Sequence, residues 1–276
     1  MKKIAVLMLV VSLVFSMLLV SCGNEEASSS ATSEATSETT SETTSEATSE
    51  ATSSEEVKVM TYAEYAAAEK DAAVVVESYV QAKQNRWTNS ETGKSLTSLY
   101  LQDSEGAIFA YNVECSEENY AKLTVGTKVR VTGFKGEFHG EVEVVDGTLE
   151  ILEGNYVATA TDVTAILGNA DELIKKQNSL ASFKGLTVAA SKDADGNDVA
   201  FLYKYNGSGQ DGDDLYFNVT DGTNTYSFTV ESYLCDKTTD VYAAVKALKV
   251  GDKIDMEGFL YWYNGVNPHI TSVTVQ

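Results

Sequence analysis

Histidine is nearly absent from this chain of 276 residues. The two present, His139 and His269, stand too far apart to form the His-x-x-x-His pair with which a helix holds a catalytic metal. The Gly-x-Ser-x-Gly turn that presents a nucleophilic serine is missing. So is a phosphate-binding loop, because Gly93-Lys94-Ser95 has Thr88 where the upstream glycine belongs. Glu141 and Glu143 come closest to a paired acid and base. Two residues apart on a strand, they point to one side, and the Glu-Val-Glu-Val alternation reads as an ordinary solvated strand face. With no nucleophile set beside a base, the chain reads as a binding protein rather than an enzyme, and no cofactor is expected.

Positive charge is the second shortage. Twenty Lys and Arg face 41 Asp and Glu, a formal charge of −21. Residues 58–157 hold nine basic and sixteen acidic groups, and residues 158–276 hold the same numbers. Nucleic-acid binders present a basic footprint whose counterion release drives affinity, and neither half does so. Lys83, Arg86, Lys94, Lys128, Arg130 and Lys135 in the first half keep the nucleic-acid reading open. The acidic surplus also has a plainer meaning, solubility outside the cell and distance from an anionic membrane.

Residues 23–56 contain neither proline nor any Lys or Arg, yet nine carboxylates, five of them in the run ATSE, ATSE, TTSE, TTSE, ATSE from Ala31 to Glu50. Such a tract has almost nothing apolar to bury and cannot offset its ordering entropy. Without proline it lacks polyproline stiffness, and its evenly spaced glutamates keep it extended. Residues 22–57 are therefore expected to be a disordered tether. Ahead of them come Lys2 and Lys3, a seventeen-residue apolar run from Ile4 to Val20, and Leu19-Val20-Ser21-Cys22. This is a charged n-region, an h-region and a small-residue cleavage site. Leu-Val-Ser-Cys resembles the lipobox of bacterial lipoproteins. The resemblance implies that residues 1–21 are a signal peptide, that Cys22 carries diacylglycerol, and that the protein sits on the extracytoplasmic side of the cell membrane. Losing Lys2 and Lys3 takes the charge from −21 to −23. A transmembrane anchor, for which the run is at the short limit, and an ordinary secreted protein are the alternatives.

From residue 58 onward the chain reads as one unit written twice. Thr61-Tyr62-Ala63-Glu64 is a capping box opening a helix that should end by Asp71. Asn169 with Glu172 repeats the entry. Leu99-Tyr100-Leu101 answers to Leu215-Tyr216-Phe217, each followed by a turn signal and another strand. Helical stretches follow at Glu117–Lys122 and Val241–Leu248. Leu123-Thr124-Val125-Gly126-Thr127-Lys128-Val129 then matches Leu248-Lys249-Val250-Gly251-Asp252-Lys253-Ile254, and both units continue to Gly133 or Gly258, a hairpin and a last strand. This order resembles the OB-fold, a five-stranded Greek-key barrel. The fold class expected is thus mostly β, with two consecutive OB-like barrels at 58–157 and 158–276, each with an entry helix and a short helix before its fourth strand. A β-sandwich is the alternative.

OB-folds bind ligands on strands two and three and in the loops joining strands one to two and four to five. By that resemblance the candidate ligand-binding residues are Arg86, Trp87, Phe138 and His139 in the first unit, and Tyr261, Trp262, Tyr263 and His269 in the second. Trp262 is either an exposed platform or a plug in the barrel mouth. Carbohydrate or a protein partner fits an acidic surface with aromatic loops. Single-stranded nucleic acid and an accessory role in a membrane-protein complex are the alternatives. Asp193, Asp195, Asp198, Asp211, Asp213 and Asp214 crowd one segment and raise the question of calcium, but the EF-hand pattern fails with Asp198 at its glycine and Lys204 at its glutamate. A solvated loop is the expectation. Cys115 and Cys235 hold equivalent places and are expected to be buried free thiols rather than a disulfide.

Overall fold

A computed structural model describes residues 58–276. The leader, Cys22 and the Ser/Thr/Glu tract lie outside the described residues. Within them, no helix is long and apolar enough to cross a membrane.

Helix α1 (Tyr62–Ala67) opens the described chain. Thr61 accepts from the Glu64 N–H while the Glu64 carboxylate accepts from the Thr61 N–H, satisfying two donors that a helix start leaves open. The helix ends four residues before Asp71, which adopts a left-handed φ of 66°. The first barrel comprises β1 (Ala73–Lys83), a two-residue arm β2 (Trp87–Thr88), β3 (Ser95–Gln102), β4 (Ala107–Glu114), helix α2 (Glu117–Lys122), β5 (Thr127–Phe138) and β6 (Glu141–Asn155). Its strand order is β1-β5-β6-β4-β3, and β3 pairs back onto β1 to close it. β4 and β6 run parallel and the other barrel pairs antiparallel.

Residues 156–179 link the barrels, carrying β7 (Thr161–Asp162) and α3 (Ala170–Leu173), whose first turn is capped by Asn169. The second barrel follows as β8 (Leu180–Ala189), β9 (Ser191–Lys192), β10 (Asp198–Val199), β11 (Leu202–Tyr203), β12 (Leu215–Thr220), β13 (Thr225–Val230), α4 (Asp240–Ala247), β14 (Lys253–Phe259) and β15 (His269–Val275). β8, β12, β13, β15 and β14 repeat the first barrel's closure, with β13 parallel to β15 and β12 pairing onto β8. Both are five-stranded closed barrels of the OB type.

Inward alternation fills each barrel. Val74, Val76, Leu99, Leu101, Val129, Val131 and Val144 pack the first, and Phe183, Leu215, Phe217, Phe228, Ile254 and Ile270 pack the second. The strand glycines mark where the barrels bend. Register shifts at Thr132/Phe134 and at Glu257/Gly258, and any Cβ on Gly258 would collide with the His269 carbonyl on the next strand. Cys115 and Cys235 are buried and not bonded to one another.

A third cluster joins the barrels. Tyr100 and Phe109, side by side on the outward face of β3 and β4, pack against Phe259, with Leu180, Leu234 and Tyr261 around them. Tyr100 stacks on Phe259 at 4.2 Å and Tyr261 stacks on His269 at 4.2 Å. This covering overturns the expectation for Glu141 and Glu143. They do point to one side of β6, but that side is not solvated. Glu141 is 0% and Glu143 5% exposed, because the second barrel's Tyr261–Trp262 hairpin and the linker close over them. Burial pushes the Glu141 carboxyl up to about 9 and Glu143 to about 7.

Candidate ligand groove between the barrels

Only half of the outward β3–β4 face is covered. Past Phe109 the strand continues to Tyr111, on the same side two residues on, and to Asn112, whose φ of 49° turns it out of regular strand geometry. Asparagine tolerates that conformation better than most residues. The Asn112 side chain accepts from Trp87 Nε1 at 3.0 Å, and its backbone N–H donates to Ser98 Oγ at 3.1 Å. The indole, carried on the β2 arm opposite Leu96, is therefore held in one orientation over the strand face.

Trp87, Tyr111 and Asn112 form a ridge shared by two adjoining cavities of about 370 Å³ each. The cavity nearer the second barrel has Phe109, Tyr261 and His269 for a floor and Gln84, Glu231 and Tyr233 for its far wall. Glu231 accepts from the Tyr233 and Leu234 N–H groups and from Gln84 Nε2 at 2.9 Å, and burial pushes its carboxyl up to about 7. The Asn85 N–H donates to the Tyr233 carbonyl at 2.7 Å, so the wall is tied to the first barrel. The other cavity runs along β4 and β6 past Glu114, Glu143 and Asp146, with Lys94 at its rim bonded to Glu114 at 2.9 Å. Trp87, Tyr111 and Tyr233 are 39%, 45% and 59% exposed, so three aromatic faces meet solvent along one groove.

The expected site residues divide. Trp87 is in the groove, and Tyr261 and His269 form its floor. His269 is buried rather than displayed: its Nδ1 lies 2.9 Å from the Tyr100 hydroxyl, and burial holds its pKa down at about 3. Trp262 is a plug, not a platform. It is 9% exposed in the second core, close to Gly140, and its N–H donates to Glu141 Oε2 at 2.9 Å. A large ring at a barrel mouth gains more by covering apolar surface than by facing water. Arg86 turns to Glu117 at 3.6 Å, away from the groove. Phe138, His139 and Tyr263 gather instead where the two four-to-five loops meet. There the Asn264 N–H donates to the His139 carbonyl, and His139 Nδ1 lies 3.0 Å from Asn264 Oδ1.

The basic residues singled out on the first barrel's strands are engaged. Lys83 donates to the Tyr120 carbonyl, Lys128 and Arg130 pair with Glu77, and Lys135 donates to the Ala66 and Ala68 carbonyls. The six aspartates of the second barrel do not converge either. Asp193 accepts from the Asp195 and Asn197 N–H groups in its turn, and Asp198 pairs with Lys192. Asp211 pairs with Lys246, Asp213 with Lys204, and Asp214 accepts from Ser232. Among the described residues no group of three His, Cys, Asp or Glu side chains is arranged to hold a metal ion.

Sequence reasoning missed Tyr111, Asn112, Gln84, Glu143, Glu231 and Tyr233. The Phe109–Tyr111 alternation on the third strand was the signal for the first of these; Asn112 and Glu143 meet in the half of the groove that the first barrel builds alone, and Gln84, Glu231 and Tyr233 come together only when the barrels dock.

No protein-family model matches the chain, and no curated protein matches it in sequence. Among solved structures, the chain is similar to the p202 HIN2 domain, with 11% identity over 75% of this chain and 97% of that one, at a TM-score of 0.32. A murine DNA-binding protein bound with double-stranded DNA gives 11% identity over 74% and 98%, at 0.31. The single-stranded DNA-binding protein from Thermus aquaticus gives 14% over 76% and 94%, at 0.21. At these TM-scores the likeness carries no argument about what this chain binds.

Proposed function

We propose that this chain is a non-enzymatic binding protein that takes a run of sugar rings in the inter-barrel groove and is held at the outer face of the cell membrane by lipid on Cys22. The observation that carries the ligand reading is the row of exposed Trp87, Tyr111 and Tyr233 along one groove on the β3–β4 face, with Lys94, its rim cation, already bonded to a carboxylate. Aromatic faces pack on the apolar faces of sugar rings, and side-chain amides such as Gln84 and Asn112 suit hydroxyl groups. The lipid reading rests on Leu19-Val20-Ser21-Cys22 and on the acidic tract that would space the barrels from the surface.

Single-stranded nucleic acid is the second reading, favoured by the same aromatics, since bases stack on them for about 1–3 kcal/mol each. The paired cations of the first barrel and the carboxylates in the groove argue for the sugar. The test is iodide quenching of tryptophan fluorescence in the detergent-solubilised chain. Trp87 is the accessible indole and Trp262 is shielded, so protection of the quenchable fraction reports occupancy of the groove. Protection by oligosaccharide, insensitive to salt, is the expected result. Protection by oligodeoxynucleotide alone, lost with salt, would replace it with the nucleic-acid reading.

A further inference from the structure

One groove residue is not explained by packing. Glu143 is 5% exposed and lines the β4–β6 half of the groove, yet among the described residues its carboxylate has no hydrogen-bond donor and no cation. Glu141, two residues away, has the Trp262 N–H, and Glu231 has three donors. Glu143 is not among the side chains whose polar atoms are fully buried without a partner, so its carboxyl opens on the groove and takes its partners from there. The groups around Glu143 supply none. Tyr65 from α1, Tyr261 from the second barrel's hairpin and Glu141 on its own strand bring no positive charge. Along the groove stand Glu114 and Asp146, and Lys94 is bonded to Glu114. The site is therefore negative, partly dehydrated and walled by aromatic faces, the combination that attracts an ammonium group through both ion pairing and the ring quadrupole.

We propose that the groove selects sugars bearing a free amine, and that Glu143 is the residue that receives the ammonium. This rests on the reading of the groove as a carbohydrate site and narrows it from sugar rings in general to amino-sugar chains with unacetylated units. An arriving ammonium gives Glu143 the partner it lacks, while Trp87 and Tyr111 hold the ring faces on either side. An N-acetylated unit offers a neutral amide N–H and no charge, a weaker partner for the carboxylate. Pairing needs Glu143 ionised and the sugar amine protonated. Burial pushes the Glu143 carboxyl up to about 7, so affinity for the amine form should fall as pH drops below that value and fall again at higher pH as the ammonium loses its own proton, whereas affinity for a neutral glycan should not change.

The experiment is titration of the detergent-solubilised chain, read by Trp87 quenching and by calorimetry. The probes are a glucosamine oligomer, its fully N-acetylated counterpart, a neutral glucan of equal length and a lysine oligopeptide. Expected is binding of the glucosamine oligomer about ten- to a hundredfold tighter than its acetylated form, the factor for one hydrogen bond to a charged group. Glu143→Gln, which keeps shape and removes charge, should bring the glucosamine oligomer down to the affinity of its acetylated form. Equal binding of all three glycans, unmoved by Glu143→Gln, would overturn the amine assignment and leave the carbohydrate reading standing. Failure of every glycan to protect Trp87 would remove both. Binding of the lysine peptide alone would also overturn the proposal, in favour of a basic protein segment.

Discussion

The Tyr100 hydroxyl of the first barrel lies 2.9 Å from Nδ1 of His269 in the second, with both residues buried. Each is the other's means of entering the core. A phenol and an imidazole buried apart would leave two polar atoms unpaired, whereas together they form one hydrogen bond inside an aromatic stack. The contact is one of several ties between the barrels, beside the Phe259 stack and the Asn85–Tyr233 and Asn264–His139 hydrogen bonds, and it lies at the groove floor.

Tyr100→Phe keeps the ring and removes the bond, leaving His269 Nδ1 unsatisfied. The expected loss is about 1–3 kcal/mol of unfolding free energy, measured as a lower urea midpoint with unchanged slope. His269, held down at about 3, also adds an acid limb. Below the ordinary histidine value of 6.5 the unfolded chain binds a proton that the folded protein refuses. Stability from this site is full above 6.5 and declines as pH falls toward 3.

Glu141 works in the opposite direction. Its carboxyl titrates near 4.5 when unfolded and near 9 when folded. Between those values the folded protein keeps a proton that the unfolded chain has released, so stability from this group is full below 4.5 and is lost as pH rises toward 9. The slope is at most about 1.4 kcal/mol per pH unit. Glu143 and Glu231 have the same sign but finish near 7, which leaves Glu141 to govern the interval from 7 to 9. Glu141→Gln, a neutral acceptor for the Trp262 N–H, should flatten stability across that interval and raise it at pH 8 by about 1–3 kcal/mol. Urea unfolding at pH 6, 7 and 8.5 measures it, and parallel curves for the two proteins would refute the assignment.

The groove predicts separable mutants. Trp87→Ala should weaken ligand binding more than it lowers stability, because the indole is 39% exposed and its Asn112 hydrogen bond lies at the surface. Asn112→Ala should weaken binding less, by freeing the ring that its Oδ1 holds. An equal melting loss in both variants would mean that the arm is structural instead.

Thiol counting tests the anchor. Cys115 and Cys235 are buried, and burial pushes the Cys235 thiol up to about 12, so neither should react with a thiol reagent in the folded protein. Under denaturant, protein purified from membranes should titrate two thiols per chain if Cys22 is a thioether. A third would show that residue 22 carries no lipid.

The twofold repeat was legible because local chemistry writes it. The Leu123–Val129 and Leu248–Ile254 matches, the Thr61 and Asn169 caps and the strand glycines each act within a few residues, and backbone sterics and alternation need nothing further. The same alternation placed Glu141 and Glu143 on one side of β6. Whether that side meets water depends on Trp262, 121 residues away, and no local pattern carries that information. Trp262 is buried for the same reason, while Trp87 stays out because its arm extends beyond the docked surface. The sequence by itself determined the two barrels, their closure and their acidic character. Tertiary structure alone decided which half of the β3–β4 face is covered, which carboxyls lose their water and how the second barrel walls one half of the groove, because docking removes water from surfaces that each barrel alone would leave exposed.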